Sequence, residues 1–111
     1  MAADRMATEL AHLTDSWQPA VLTLIQMTAR AGLRAGKPVG VCGEAAADPM
    51  LATVLIGMGI TSLSMASAAV RPVGARIAGA SLDTCRAAAA AAVAAPDPLA
   101  ARAAVREALG G

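Results

Sequence analysis

Lys37-Pro38-Val39-Gly40-Val41-Cys42-Gly43-Glu44 is the stretch on which the fold turns. Its apolar run follows a lysine, carries β-branched residues and shows no polar alternation, the pattern of a strand buried on both faces. Downstream, Asp48-Pro49 marks a helix start, because aspartate caps the free N–H groups of a first turn and proline there forfeits no hydrogen bond. Met50 to Met58 supplies the helix body, and Gly57-Met58-Gly59 reads as its stop. A second short strand follows at Ser62-Leu63-Ser64-Met65. Two buried strands joined through one helix form a βαβ unit with a right-handed crossover. The predicted fold class is therefore α/β.

The flanks are helical. Ala2, Ala3, Met6, Leu10 and Leu13 recur at helical spacing, and Thr14 to Pro19 breaks the pattern. Pro19 then opens a helix whose apolar stripe is predicted as Leu22, Ile25, Ala29 and Leu33, opposite Thr23, Gln26, Arg30 and Arg34, ending near Gly36. After Met65 the sequence predicts three more helices: Arg71 to Ala78 behind Pro72, one capped by Ser81, and one opened by Asp97-Pro98 and closed by Gly110-Gly111. The run Ala87 to Ala92 belongs to a close-packed helix, since alanine is the best helix former. Two parallel strands leave both sheet edges unpaired and their apolar faces need neighbours. The chain thus reads as part of a larger parallel sheet; a complete (β/α) barrel takes about 250 residues.

Composition removes several function classes. The 111 residues carry a net charge of +1, 57% hydrophobic and 15% charged residues, which excludes a disordered, charge-rich chain. The basic residues are scattered and Trp17 is the sole aromatic, so no nucleic-acid footprint is expected. Pro49 to Ile60, the longest apolar candidate, is too short to span a membrane and is interrupted by glycine, and Asp4, Arg5 and Glu9 argue against a secretory signal. A cytoplasmic location is expected. Cys42 and Cys85 form neither a disulfide framework nor a metal spacing.

In parallel α/β folds functional residues gather at the carboxyl ends of strands. Cys42 holds that position, followed by Gly43, which lets a ligand approach the backbone, and by Glu44. It reads either as a small apolar residue closing a strand or as a nucleophile or acid–base group. Cys85, among alanines, reads as packing. His12, the single histidine, lacks an identifiable orienting partner and reads as a capping or solvent-facing residue. No nucleophile elbow, Walker loop or dinucleotide-binding glycine motif occurs.

The block Lys37 to Pro49, with Cys42-Gly43-Glu44 at its centre, resembles the C-terminal phosphoenolpyruvate-binding domain of enzyme I of the bacterial sugar phosphotransferase system, phosphoenolpyruvate-protein phosphotransferase. Ala2-Ala3-Asp4-Arg5, Glu9 to Asp15 and Pro19 to Leu22 look like the stretch preceding the cysteine motif in that family. Gly57-Met58-Gly59-Ile60 and Leu63-Ser64-Met65 are similar to its last barrel strand, and the closing helices fit its tail. Two departures stand out: Gln18 occupies a position where the family commonly has histidine, and Ala45-Ala46-Ala47 replaces a Glu-Leu-Ala-Gly-like pattern.

The resemblance implies the last two strands of a parallel (β/α)8 TIM-type barrel over residues 1–80, followed by a helical tail over 81–111. It implies transfer of the phosphoryl group of phosphoenolpyruvate, through a histidine of a separate domain, to the histidine phosphocarrier protein, with magnesium (Mg2+) as cofactor. Cys42 is then the acid that protonates the enolpyruvate carbon, and Arg5 is one of the arginines that hold the phosphate. Both roles suit their groups: a thiol is protonated at neutral pH, and guanidinium pairs bidentately with phosphate oxygens. The family's metal-binding acids, its remaining arginines and its phosphorylated histidine correspond to nothing in this chain, so an isolated chain is expected not to turn over. Phosphoenolpyruvate synthase and pyruvate phosphate dikinase share the barrel and cysteine, but the helices after Ser81 favour enzyme I. The competing reading is a stand-alone, helix-rich homo-oligomeric interaction module whose strands pair between protomers.

Overall fold

The computed structural model describes residues 15–110. Their order is α1 (Pro19–Ala35), β1 (Gly40–Cys42), α2 (Glu44–Ala47), α3 (Pro49–Met58), β2 (Ser62–Ser64), α4 (Ser67–Ala78), α5 (Leu82–Ala94) and α6 (Pro98–Ala108). The result is a mostly helical unit around a two-stranded parallel sheet, with Gly40, Val41 and Cys42 opposite Ser62, Leu63 and Ser64. The βαβ unit read from the sequence is present. Its ladder is extended at one end by Thr61 N–H donating to Val39 O (2.9 Å), and at the other by Gly43 N–H donating to Ser64 O (3.1 Å).

The helix boundaries follow from local chemistry. Asp48 Oδ1 accepts from Met50 N (3.0 Å) and Leu51 N (3.2 Å), capping α3 behind Pro49. Ser81 Oγ accepts from Thr84 N, and Asp97 Oδ1 from Ala100 N, to start α5 and α6. Gly36 ends α1 at φ 68°, a left-handed backbone that glycine adopts without penalty.

One core runs through the described residues, from Trp17, Leu22 and Ile25 through Val41, Leu51, Val54 and Leu55 to Ala88, Ala92, Ala101 and Val105. The alanine run is a packed helix, as read: Ala88, Ala89 and Ala92 are buried. Thr53, buried in α3, donates its hydroxyl to Met50 O (2.6 Å), so its polar group is satisfied in place.

Four expectations are corrected. The strands are not buried on both faces: Val41 is buried and Leu63 half-buried, but Cys42, Ser62 and Ser64 are exposed. Side chains alternate across a sheet, and the described helices cover only the Val41–Leu63 face. Leu33 is 78% exposed, because the contact face of α1 passes from Ala29 to Gly32, where an added Cβ would strike the Val39 side chain. Pro72 lies inside α4, which begins at Ser67 rather than behind the proline. The Gly57-Met58-Gly59 stop divides into two functions. Gly59 alone is the left-handed cap (φ 99°), whereas Gly57 lies within α3 where that helix meets the Cys85 backbone of α5.

Candidate active site

The site is built on the end of β1. Cys42 lies beside Ser64 in register, both exposed at the carboxyl ends of their strands and on the face that the described helices leave open. The chain then turns sharply through Gly43, at φ 88° and ψ −151°. That conformation is essentially confined to glycine, so the backbone, rather than lack of room, demands this residue: a Cβ there would meet nothing within 4 Å. The turn delivers the chain into α2, a single helical turn that opens with exposed Glu44 and anchors itself through buried Ala45 and Ala46. Two of the three alanines that depart from the Glu-Leu-Ala-Gly-like pattern, Ala45 and Ala46, are therefore core residues.

Asp48 closes α2 and caps α3. Its second oxygen, Oδ2, accepts from Trp17 Nε1 (3.0 Å), and the Trp17 backbone N–H donates to Asp15 Oδ1 (2.9 Å). Arg102 of α6 reaches over Trp17, its guanidinium carbon 5.7 Å from the ring centroid, and stands 3.6 Å from Asp15 Oδ1. Asp15, Trp17, Glu44, Asp48, Leu51 and Arg102 line a cavity of about 190 Å³ next to the Cys42 turn. A larger apolar cleft, about 510 Å³, lies between β2 and α4 and is lined by residues including Ile56, Leu63, Met65, Val73 and Ile77.

Of the residues singled out from the sequence, Cys42 is placed where expected and its thiol is accessible. Arg5 and His12 lie outside the described residues. Cys85 is buried, as its packing role requires, and burial pushes its thiol above its ordinary value. The Trp17–Asp48–Arg102 cluster was not anticipated. A lone tryptophan just after an aspartate and before a proline-started helix is a weak signal for it, and nothing near Arg102 points back to that loop. Among the described residues no three His, Cys, Asp or Glu side chains converge to hold a metal ion. No helix among them is long and apolar enough to cross a membrane.

A parallel strand pair presenting a cysteine and a serine at its carboxyl ends, behind a glycine-only turn, fits a domain that handles a small ligand at that edge. The family model for the PEP-utilising enzyme, PEP-binding domain matches residues 1–82, and the chain belongs to that family. It is 50% identical, over 110 residues, to a phosphoenolpyruvate-protein phosphotransferase of Streptomyces coelicolor, an alignment that covers 99% of this chain and 20% of that protein. Proteins of the same name in Cupriavidus necator (49% over 65 residues, 59% of this chain and 11% of the relative) and Bacillus sp. strain S (40% over 77 residues, 69% and 13%) are also similar. The chain thus spans a fifth or less of the length of these relatives.

Proposed function

We propose that the chain forms the C-terminal part of a phosphoenolpyruvate-protein phosphotransferase, the last two strands of its (β/α)8 barrel with the closing helices, working in the cytoplasm. The observation that carries this reading is the exposed Cys42 at the carboxyl end of β1, on the sheet face left open by the described helices. In the proposed reaction the P–O bond of phosphoenolpyruvate breaks and the phosphoryl group leaves for a histidine, destined for the histidine phosphocarrier protein. The electron pair left on the enolate forms a C–H bond with the Cys42 proton, giving pyruvate and a thiolate that recovers its proton from water. Arg5 holds the phosphate while negative charge moves onto the leaving oxygen. Magnesium belongs to this reaction in the family, but the described side chains do not form a metal site, and no step is assigned to it through them.

Two assays test the proposal. The isolated chain should transfer no phosphoryl group from phosphoenolpyruvate to the phosphocarrier protein, because a partial constellation loses nearly all its effect. Magnesium-dependent transfer by the chain alone would sink that expectation. Grafted into the Streptomyces coelicolor relative in place of the matching 110 residues, the chain should support transfer, and Cys42→Ala in the graft should lower it by about a hundredfold or more, the scale of a general acid. An active Cys42→Ala graft overturns the assignment.

One observation favours a second reading. Among the described residues β1 and β2 pair only with each other, so each keeps an unpaired edge, and such edges promote pairing between chains. A homo-oligomeric interaction module would then sediment as a concentration-dependent oligomer, whereas a monomer with cooperative unfolding counts against it.

A further inference from the structure

Arg102 stands on the last helix, far in sequence from Cys42, yet a continuous series of contacts joins them. Its guanidinium covers the buried Trp17 ring and faces Asp15. Trp17 Nε1 is bonded to Asp48 Oδ2, and Asp48 Oδ1 holds the Met50 and Leu51 amides. Asp48 is also the residue at which α2 ends, and α2 begins directly after the Cys42-Gly43 turn. A helix of one turn has too few hydrogen bonds to fix its own position. The placement of α2 is set by its ends and its buried alanines. One end is tied by Gly43 N–H to Ser64 O, and the other by Asp48 to Trp17. Arg102, Glu44 and Asp48 line one cavity, so the cation also faces the start of α2.

We propose that Arg102 is a positioning residue: through Trp17 and Asp48 it holds the Cys42–Asp48 segment in place, and so fixes where the Cys42 thiol stands. The functional meaning rests on the reading of Cys42 as the proton donor, but the coupling itself is a separate physical property. Arg102 and Asp15 are each about half exposed (48% and 45% of the side chain), so the effect is modest: loss of the stacked, ion-paired guanidinium should open the segment about two- to fivefold more often.

The test is residue-resolved amide hydrogen exchange on the 111-residue chain, comparing wild type with Arg102→Gln, Arg102→Lys, Trp17→Phe and, as a control one turn further along the helix, Arg106→Gln. Exchange at Gly43, Ala47, Met50 and Leu51, whose amides are bonded within this segment or to Ser64, should accelerate about two- to fivefold in Arg102→Gln. Trp17→Phe keeps a ring but removes the donor to Asp48, and should accelerate the same amides at least as much. Arg102→Lys should fall between wild type and Arg102→Gln, and Arg106→Gln should match wild type. In every variant the Ala88 to Ala92 amides of α5 should keep wild-type rates. Unchanged exchange at the four amides in Arg102→Gln overturns the proposal. Uniform acceleration that includes α5 also overturns it, because Arg102 would then be a general stabiliser. Local acceleration together with an active Cys42→Ala graft would leave the coupling standing and remove the catalytic reading.

Discussion

Gly57→Ala sets two well-defined effects against each other. In a free helix the change gains about 1 kcal/mol, the difference in helix propensity between glycine and alanine. Here the new methyl carbon would clash with the Cys85 carbonyl group and lie 2.9 Å from Arg86 N, all of it backbone that cannot rotate away. Helices α3 and α5 would have to separate by roughly 1 Å, and a gap of that size already forfeits up to half of the dispersion energy of each contact it opens. The contacts at risk are those of buried Ala88, Ala89 and Ala92 with the Leu51–Leu55 side of the core. Overpacking of this kind costs about 1–3 kcal/mol and sometimes more; against rigid backbone the upper end applies, for a net loss of about 2 kcal/mol. Gly74→Ala is the matched control. It is an interior glycine of α4 whose added Cβ meets nothing within 4 Å, so it should gain about 0.5–1 kcal/mol. Urea unfolding followed by Trp17 emission reads both, since Trp17 is the only aromatic residue and is 2% exposed. The midpoint should fall for Gly57→Ala and rise for Gly74→Ala with similar slopes. A Gly57→Ala midpoint at or above wild type refutes the close helix crossing.

Asp48→Ala removes the cap of α3 and the partner of Trp17 Nε1 together; the cap alone is worth about 1 kcal/mol and the stranded indole N–H adds about 1 more. Urea denaturation should show a loss of about 2 kcal/mol, only about half of it restored in Asp48→Asn, whose single oxygen keeps the cap while its NH2 group cannot accept from the indole, and a loss no larger than that of an exposed substitution would contradict the arrangement. Burial raises the Cys85 pKa above its ordinary value of 9.0, so the folded state holds this proton more tightly than the unfolded state. Stability is therefore unaffected below the ordinary value and falls as pH rises from there toward the raised folded value. Thermal melts between pH 7 and 10.5 should show this alkaline decline lessened in Cys85→Ala; an equal decline in both would assign it to other groups.

The βαβ unit was legible because its signals are local. Asp48-Pro49 names both the cap and the first turn of one helix, and the run ending at Cys42 has no periodicity compatible with an amphipathic helix. The misreadings arise where a local rule meets a packing fact. Leu33 satisfies helical spacing, but so does Gly32, and it is Gly32 that faces Val39, because only a residue without a Cβ fits there. Gly57 and Gly59 look alike in sequence. One is demanded by a positive φ, the other by a neighbouring helix that arrives from thirty or so residues downstream in the described chain, and no local pattern announces that arrival. The strand faces depart from expectation for a related reason: a continuous apolar run implies cover on both sides, but the described chain supplies helices only to the Val41–Leu63 face.

The site divides in the same way. The placement of Cys42 at an exposed strand end was legible from the run that precedes it, and the structure adds the reason for the glycine that follows: φ 88° and ψ −151° at Gly43. The clasp behind it was not legible, because each member has a sufficient local explanation. Asp48 is a helix cap, Arg102 a solvated helix residue, and Trp17 a hydrophobic residue at a break; only the fold shows that the cap's spare oxygen, the indole N–H and the guanidinium meet. A helix cap needs one carboxylate oxygen. When the other also holds a buried donor, the same residue reports the position of a distant element to the loop it terminates, and at Asp48 that loop begins at the cysteine.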